Sequence, residues 1–91
     1  MVRYFGSFRV AAGMLEGFAE LPAGGTLLDL LVIASDTAGD DLRSELFDEN
    51  GLRIDAMITV NDTIINREKA AKLILSQGDT VSLFPVFPGG G

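Results

Sequence analysis

The residues whose types and spacing could do chemistry stand at the end of the chain. Gly89, Gly90 and Gly91 follow Leu83-Phe84-Pro85-Val86-Phe87-Pro88. Glycine packs nothing and loses more backbone freedom on ordering than any other residue. Such a tail adds nothing to a fold. It offers thinness and a carboxylate at Gly91, which becomes electrophilic once activated. Extended, residues 86–91 span at most about 20 Å. A tail of that reach can enter a partner's buried site while the body stays outside. Gly91 is the candidate attachment point, and Val86, Phe87, Gly89 and Gly90 are candidate binding residues. An incidental glycine end would look the same when read alone; the context decides.

The absences narrow the chemistry. The chain has no Cys and no His. A Ser–His or Cys–His nucleophile is therefore impossible, as is a thiolate metal site or a persulfide carried on sulfur. Asp40, Asp41, Glu45, Asp48 and Glu49 form an acidic cluster without EF-hand spacing; it reads as a solvated surface, so no metal is expected. No acid–base pair stands at a defensible spacing, and the chain is expected to catalyse nothing by itself. The net charge of −6 weighs against nucleic acid and anionic membranes and favours a basic protein partner. No apolar run approaches the roughly 20 residues of a membrane span. No basic stretch leads an apolar one at the start, and the cytoplasm is the expected location.

The elements that must position the tail can be placed in outline. Residues 2–10 read as a first strand, broken near Gly6, and 15–21 as a second strand hairpinned to it. Pro22-Ala23-Gly24-Gly25 breaks the pattern. Thr26 and Asp29 then resemble a capping box, with Leu27, Leu30, Leu31 and Ala34 on one helical face. This predicts a helix over 27–38, with Gly39 beyond its end. A short helical piece follows at 41–47 and a turn at 48–51. Residues 56–60 read as a buried strand, Asn61-Asp62 as a turn and 63–65 as a return strand. Residues 66–77 are ambiguous between a short helix and an irregular crossing. Thr80 to Phe84 is a last strand, stopped by Pro85. Tyr4, Phe5, Phe8, Phe18, Phe47 and Phe84 are expected in the core, and Phe87 at an interface.

This order makes an α+β fold: a mixed sheet of four to five strands with one main helix packed on one face. It is the ubiquitin-like β-grasp layout. Four stretches also resemble the small subunit of molybdopterin synthase and its relatives among the ubiquitin-like sulfur carriers. They are "VRYFGSFRVAAG" (2–13), "LRSELFDENGLR" (42–53), "ITVND" (58–62) and "GDTVSLFPVFPGGG" (78–91). They occur in the family's order and span nearly the whole chain. The departures are a third glycine, Val86-Phe87-Pro88 in the lead-in, and Asn61-Asp62 where Asn-Gly is usual.

The resemblance implies a β-grasp domain over 1–85 and a Gly-rich tail over 86–91. It implies that an E1-like adenylating enzyme, using ATP, activates Gly91, which then becomes a thiocarboxylate. No cofactor is bound by the chain itself. The large subunit of molybdopterin synthase would receive the sulfur for molybdopterin, the pterin of the molybdenum cofactor. Carriers for thiamine or for a tungsten cofactor are alternatives, as is a protein modifier joined to target lysines through Gly91. An interaction module with an idle tail is a further reading, in which deleting Gly90 and Gly91 changes nothing.

Overall fold

The computed structural model describes residues 1–53 and 55–86. Its centre is a five-stranded mixed sheet. The strands are β1 (Val2–Tyr4), β2 (Glu16–Gly17), β5 (Ala56–Val60), β6 (Thr63–Ile65) and β7 (Val81–Pro85). Their order is β2-β1-β7-β5-β6. β7 lies in the middle, parallel to β1 (Tyr4 beside Leu83) and antiparallel to β5 (Ile58 beside Leu83). The remaining segments are α1 (Ser7–Ala12), α2 (Leu27–Ala38), α3 (Asp40–Leu46), α4 (Arg67–Ala70) and the small ribbon β3 (Phe47–Asp48) with β4 (Gly51–Leu52). This is the β-grasp architecture, with α2 as the helix grasped by the sheet.

α2 forms for the reasons legible in its residues. The Thr26 hydroxyl accepts from Asp29 N–H at 3.2 Å, and the Asp29 carboxylate accepts from Thr26 N–H at 3.0 Å. Leu27, Leu30, Leu31 and Ala34 all face the core. They meet Val2, Tyr4, Ile58, Val81 and Leu83 on the inner face of the sheet. Burying each leucine contributes roughly 1.5–3 kcal/mol. Ser35 lies buried beside this stripe, its hydroxyl donating to Leu31 C=O at 2.8 Å, so its burial leaves no polar group unpaired.

Four expectations require correction. The first strand does not run to residue 10: it stops at Tyr4, and residues 7–12 are helical. Gly6 turns the chain at positive φ, Phe8 and Ala12 bury one face, and Gly13 caps the end in the left-handed region. The i, i+4 pair outweighs the β propensity of Phe8 and Val10. The second strand keeps only Glu16 and Gly17, so Phe18 leaves the sheet and stands 85 % exposed. Phe5 and Phe84 are half-buried on the outer face of the sheet, not in the core. Phe47 is likewise half-buried at the edge of the core.

The ambiguous stretch is resolved. The Asn66 side chain caps α4 by accepting from Lys69 N–H at 2.8 Å, and Ala70 is fully buried. The chain then passes the start of α2, where Leu27 N–H donates to Leu73 C=O at 2.9 Å and Leu75 N–H to Gly25 C=O at 3.1 Å. The Asn61-Asp62 turn has φ of 49° and 71°. Both values belong to the two-residue hairpin turn whose twist matches the strands, which Asn and Asp tolerate.

Urea denaturation checks this packing. Leu31→Ala is expected to cost about 2–5 kcal/mol and Thr26→Ala about 1 kcal/mol. Phe18→Ser is expected to stay within about 0.5 kcal/mol, because its ring buries so little.

Candidate functional site

The sheet's middle strand leads into the glycine tail. Pairing on both flanks holds β7 as far as Leu83, whose C=O accepts from Phe5 N–H at 3.1 Å. Beyond Phe5 the neighbouring chain turns away into α1. The approach there is close: a Cβ on Gly6, at φ +57°, would lie 2.7 Å from Pro85 Cγ. On the other flank the ladder continues. Ala56 pairs with Pro85, and Val86 N–H donates to Asp55 C=O at 2.9 Å. Val86, the last described residue, is the root of the tail. Its side chain is 44 % exposed. Of the expected binding residues, Val86 falls here; Phe87, Gly89 and Gly90, with the expected attachment point Gly91, lie outside the described residues.

Beside this root lies the outer face of the sheet. Because Val81, Leu83, Ile58 and Val60 point inward, the alternate residues point outward. Phe84 stands opposite Met57, and Ser82 opposite Thr59, which is paired in turn with Ile64. Phe5 stacks on Phe84 with ring centroids 4.4 Å apart and planes 11° off parallel. The Arg3 and Arg9 guanidinium carbons lie 5.4 and 5.8 Å from the centre of the Phe5 ring, within cation–π range. Ile64 is 68 % exposed. An apolar surface with two cations at its rim thus borders the tail root of a protein whose net charge is −6. Sequence reasoning does not single out these residues, because alternation alone does not say which face of the sheet α2 covers.

A shallow groove adjoins the same root, lined by Arg53, Met57, Ile64, Arg67 and Val86 among others, with a volume of about 380 Å³. Arg53 is engaged: its Nε and Nη2 donate to the two Asp55 carboxylate oxygens, each at 3.0 Å. This fork holds the Asp55 carboxyl below its ordinary value and raises Arg53. Among the described residues no group of three His, Cys, Asp or Glu side chains is placed to hold a metal ion. Among them, too, no helix is long and apolar enough to cross a membrane.

The opposite end of β7 is pinned as well. Asn61 and Asp79 clasp its entry: Asn61 Nδ2 donates to Asp79 at 2.9 Å, Thr80 N–H to Asn61 Oδ1 at 3.0 Å, and Ser76 N–H to Asp79 at 2.8 Å. The Ser76 amide first, and the Asn61 amide second, keep the Asp79 carboxyl below the ordinary 3.8.

The ThiS family model matches residues 2–90. Among solved structures, the molybdopterin converting factor, subunit 1, of Pyrococcus furiosus is similar at 31% identity and a TM-score of 0.73, covering 94% of each chain. Small archaeal modifier protein 1 of Haloferax volcanii has a TM-score of 0.84 at 22% identity, over 98% of this chain and 96% of that one. A chain of the BexX/CysO complex of Amycolatopsis orientalis has a TM-score of 0.75 at 20% identity, over 99% and 100%. The last two likenesses are likenesses of fold. Among curated proteins, none matches this chain by sequence.

Two measurements test this geometry. A double-mutant cycle of Phe5→Ala and Phe84→Ala is expected to give a coupling of about 0.5–1.5 kcal/mol. The stability that Asp79 provides is fully present above its unfolded pKa and is lost as pH falls through its lowered folded value. Urea midpoints of Asp79→Asn, followed on acidification below about pH 4, should therefore fall less steeply than those of the wild type.

Proposed function

The chain belongs to the ThiS family of ubiquitin-like sulfur carriers, and from that premise we propose that it carries sulfur on Gly91 for molybdopterin formation. The carrier body is residues 1–85 and the tail is 86–91. The observation that supports this reading is the placement of Val86, the root of the tail: the central strand of the sheet ends beside it, next to the partly exposed apolar face of Phe5, Phe84 and Ile64. A partner that grips this face receives the tail at a fixed position.

In the first step the Gly91 carboxylate oxygen attacks the α-phosphorus of ATP on an adenylating enzyme. Pyrophosphate leaves and an acyl-adenylate forms. A sulfide-level donor, hydrosulfide or its equivalent, then attacks the carbonyl carbon; AMP leaves with the former carboxylate oxygen and the sulfur's proton goes to solvent. The resulting thiocarboxylate is a good nucleophile. A large catalytic subunit, holding the pterin, takes its sulfur. Cysteine-free and histidine-free, the chain has no thiol to compete for that sulfur. ATP belongs to the activating enzyme, and the carrier binds no cofactor. Carrier and partners work together in the cytoplasm.

Glycine at 89–91 keeps the thread thin. Ordering those residues costs about 1–2 kcal/mol each, which docking must offset. The sheet face with Phe5, Met57, Ile64 and Phe84, together with Val86 and Phe87, supplies the contact. Arg3 and Arg9 favour a partner whose rim is acidic there. The choice of a pterin acceptor is supported by the likeness to the Pyrococcus furiosus protein, at 31% identity. A protein modifier joined to target lysines would use the same activated carboxyl and is the second reading.

Intact mass after incubation with the adenylating enzyme, ATP and a sulfur donor is the test. One oxygen is expected to be replaced by sulfur, and a Gly91-deleted chain should show no change. No shift with an enzyme active on its own carrier would remove the reading. Isopeptide adducts on other proteins would instead support the modifier. Ile64→Asp and Phe87→Ala should each weaken binding to the adenylating enzyme about tenfold, measured calorimetrically.

A further inference from the structure

Among the described residues, the root of the tail is held on one side only. At Leu83 the strand has partners on both flanks. Pro85 has no N–H to donate. At Val86 the hydrogen bond that remains is from its N–H to Asp55 C=O, at 2.9 Å. The position of Val86 therefore depends on the turn that contains Asp55.

That turn is braced by one side chain. Arg53 grips both carboxylate oxygens of Asp55 at 3.0 Å, and its Nη1 donates to Ser44 C=O in α3 at 3.1 Å. Its own N–H donates to Leu46 C=O at 2.7 Å, and its C=O accepts from Ala56 N–H at 3.3 Å. The guanidinium thus ties the Asp55 turn to α3. Both side chains are about half exposed, so the pair contributes little to global stability. Its effect is local: it closes a ring across the turn whose carbonyl receives Val86.

We propose that the Arg53–Asp55 pair positions the C-terminal tail by fixing the turn to which Val86 is hydrogen-bonded. Arg53 and Asp55 are positioning residues: they act through the Asp55 carbonyl, not on a substrate. With the latch closed, Val86 is fixed, and Gly91 lies within a contour length of about 17 Å of it. With it open, Val86 is released while Pro85 stays paired with Ala56. A partner must then order more chain to bring Gly91 to the same place. The consequence for activation rests on the carrier reading; the latch itself does not.

The test uses the full-length protein with Arg53→Gln, Asp55→Asn and the charge-exchanged double variant Arg53→Asp with Asp55→Arg. Amide hydrogen exchange by NMR reads the latch directly. Val86 N–H is expected to exchange about tenfold faster in each single variant, with Val81 and Leu83 unchanged and the thermal midpoint unmoved. The exchanged pair should restore protection in part. Unchanged exchange at Val86 would overturn the latch.

Adenylation, followed as ATP–pyrophosphate exchange with the activating enzyme, reads its consequence. The KM for the carrier is expected to rise roughly fivefold to thirtyfold with kcat unchanged, the cost of ordering one more residue. Faster Val86 exchange with an unaltered KM would overturn the positioning role. A wild type that is not adenylated, by an enzyme active on its own carrier, would remove the carrier reading, while the NMR result would still decide the latch.

Discussion

The parallel pairing of β1 with β7 joins the first residues of the chain to the last strand, and the rest of the structure depends on it. Two parallel strands cannot be joined by a tight turn. Here nearly the whole chain forms the crossover between them. The crossover contains α2, and α2 covers the inner face of the pair. Val2, Tyr4, Val81 and Leu83 are buried there against its leucines. With β5 on its other flank, β7 becomes the middle of the sheet. A terminal strand is ordinarily free to fray. This one is held by neighbours on two sides and by a helix beneath it, so the segment that follows starts from a fixed place.

Charge is arranged on the same frame. The acidic excess gathers on α3 and the turn that follows it, with Asp40 and Asp41 at the helix start, where they suit the dipole. Arg43 bridges back to Asp36 on α2. Arg3 and Arg9 instead flank the aromatic stack on the open face of the sheet. The molecule is thus acidic as a whole and cationic at the rim of its apolar face. That contrast orients an encounter before any close contact forms.

Much of this was legible in the residues, and the failures have physical causes. Thr26 with Asp29, the leucine stripe, Val60-Asn61-Asp62-Thr63 and the run into Pro85 all carry local signals that tertiary packing reinforces. The strand at 2–10 was misread because Phe8 and Val10 favour strands, whereas Phe8 and Ala12 bury one side of a short helix between two glycines. Phe18 was misread because alternation continues in the sequence after the strand has left the sheet. The Phe5–Phe84 stack could not be seen, since strands from opposite ends of the chain bring it together. The Asn66 cap of α4 stands at the head of the polar run Asn66-Arg67-Glu68-Lys69, where too few apolar residues follow to show a helical period. Within the candidate site, the glycine tail was readable from composition, whereas Arg53 and Asp55 are two ordinary charges until Val86 is found beside them.

The ends of the chain share one further consequence. The Met1 ammonium donates to Asp79 C=O at 3.1 Å, and Val81 N–H donates to Met1 C=O at 2.9 Å. Met1 therefore sits where β7 begins, and Val86 where it ends. Traction applied to the tail along the strand axis, with the N-terminus held, loads the β1–β7 ladder in shear. Its hydrogen bonds then resist together, not one after another as in a strand peeled from an edge. A domain so connected resists being pulled out of shape by whatever grips its last residues.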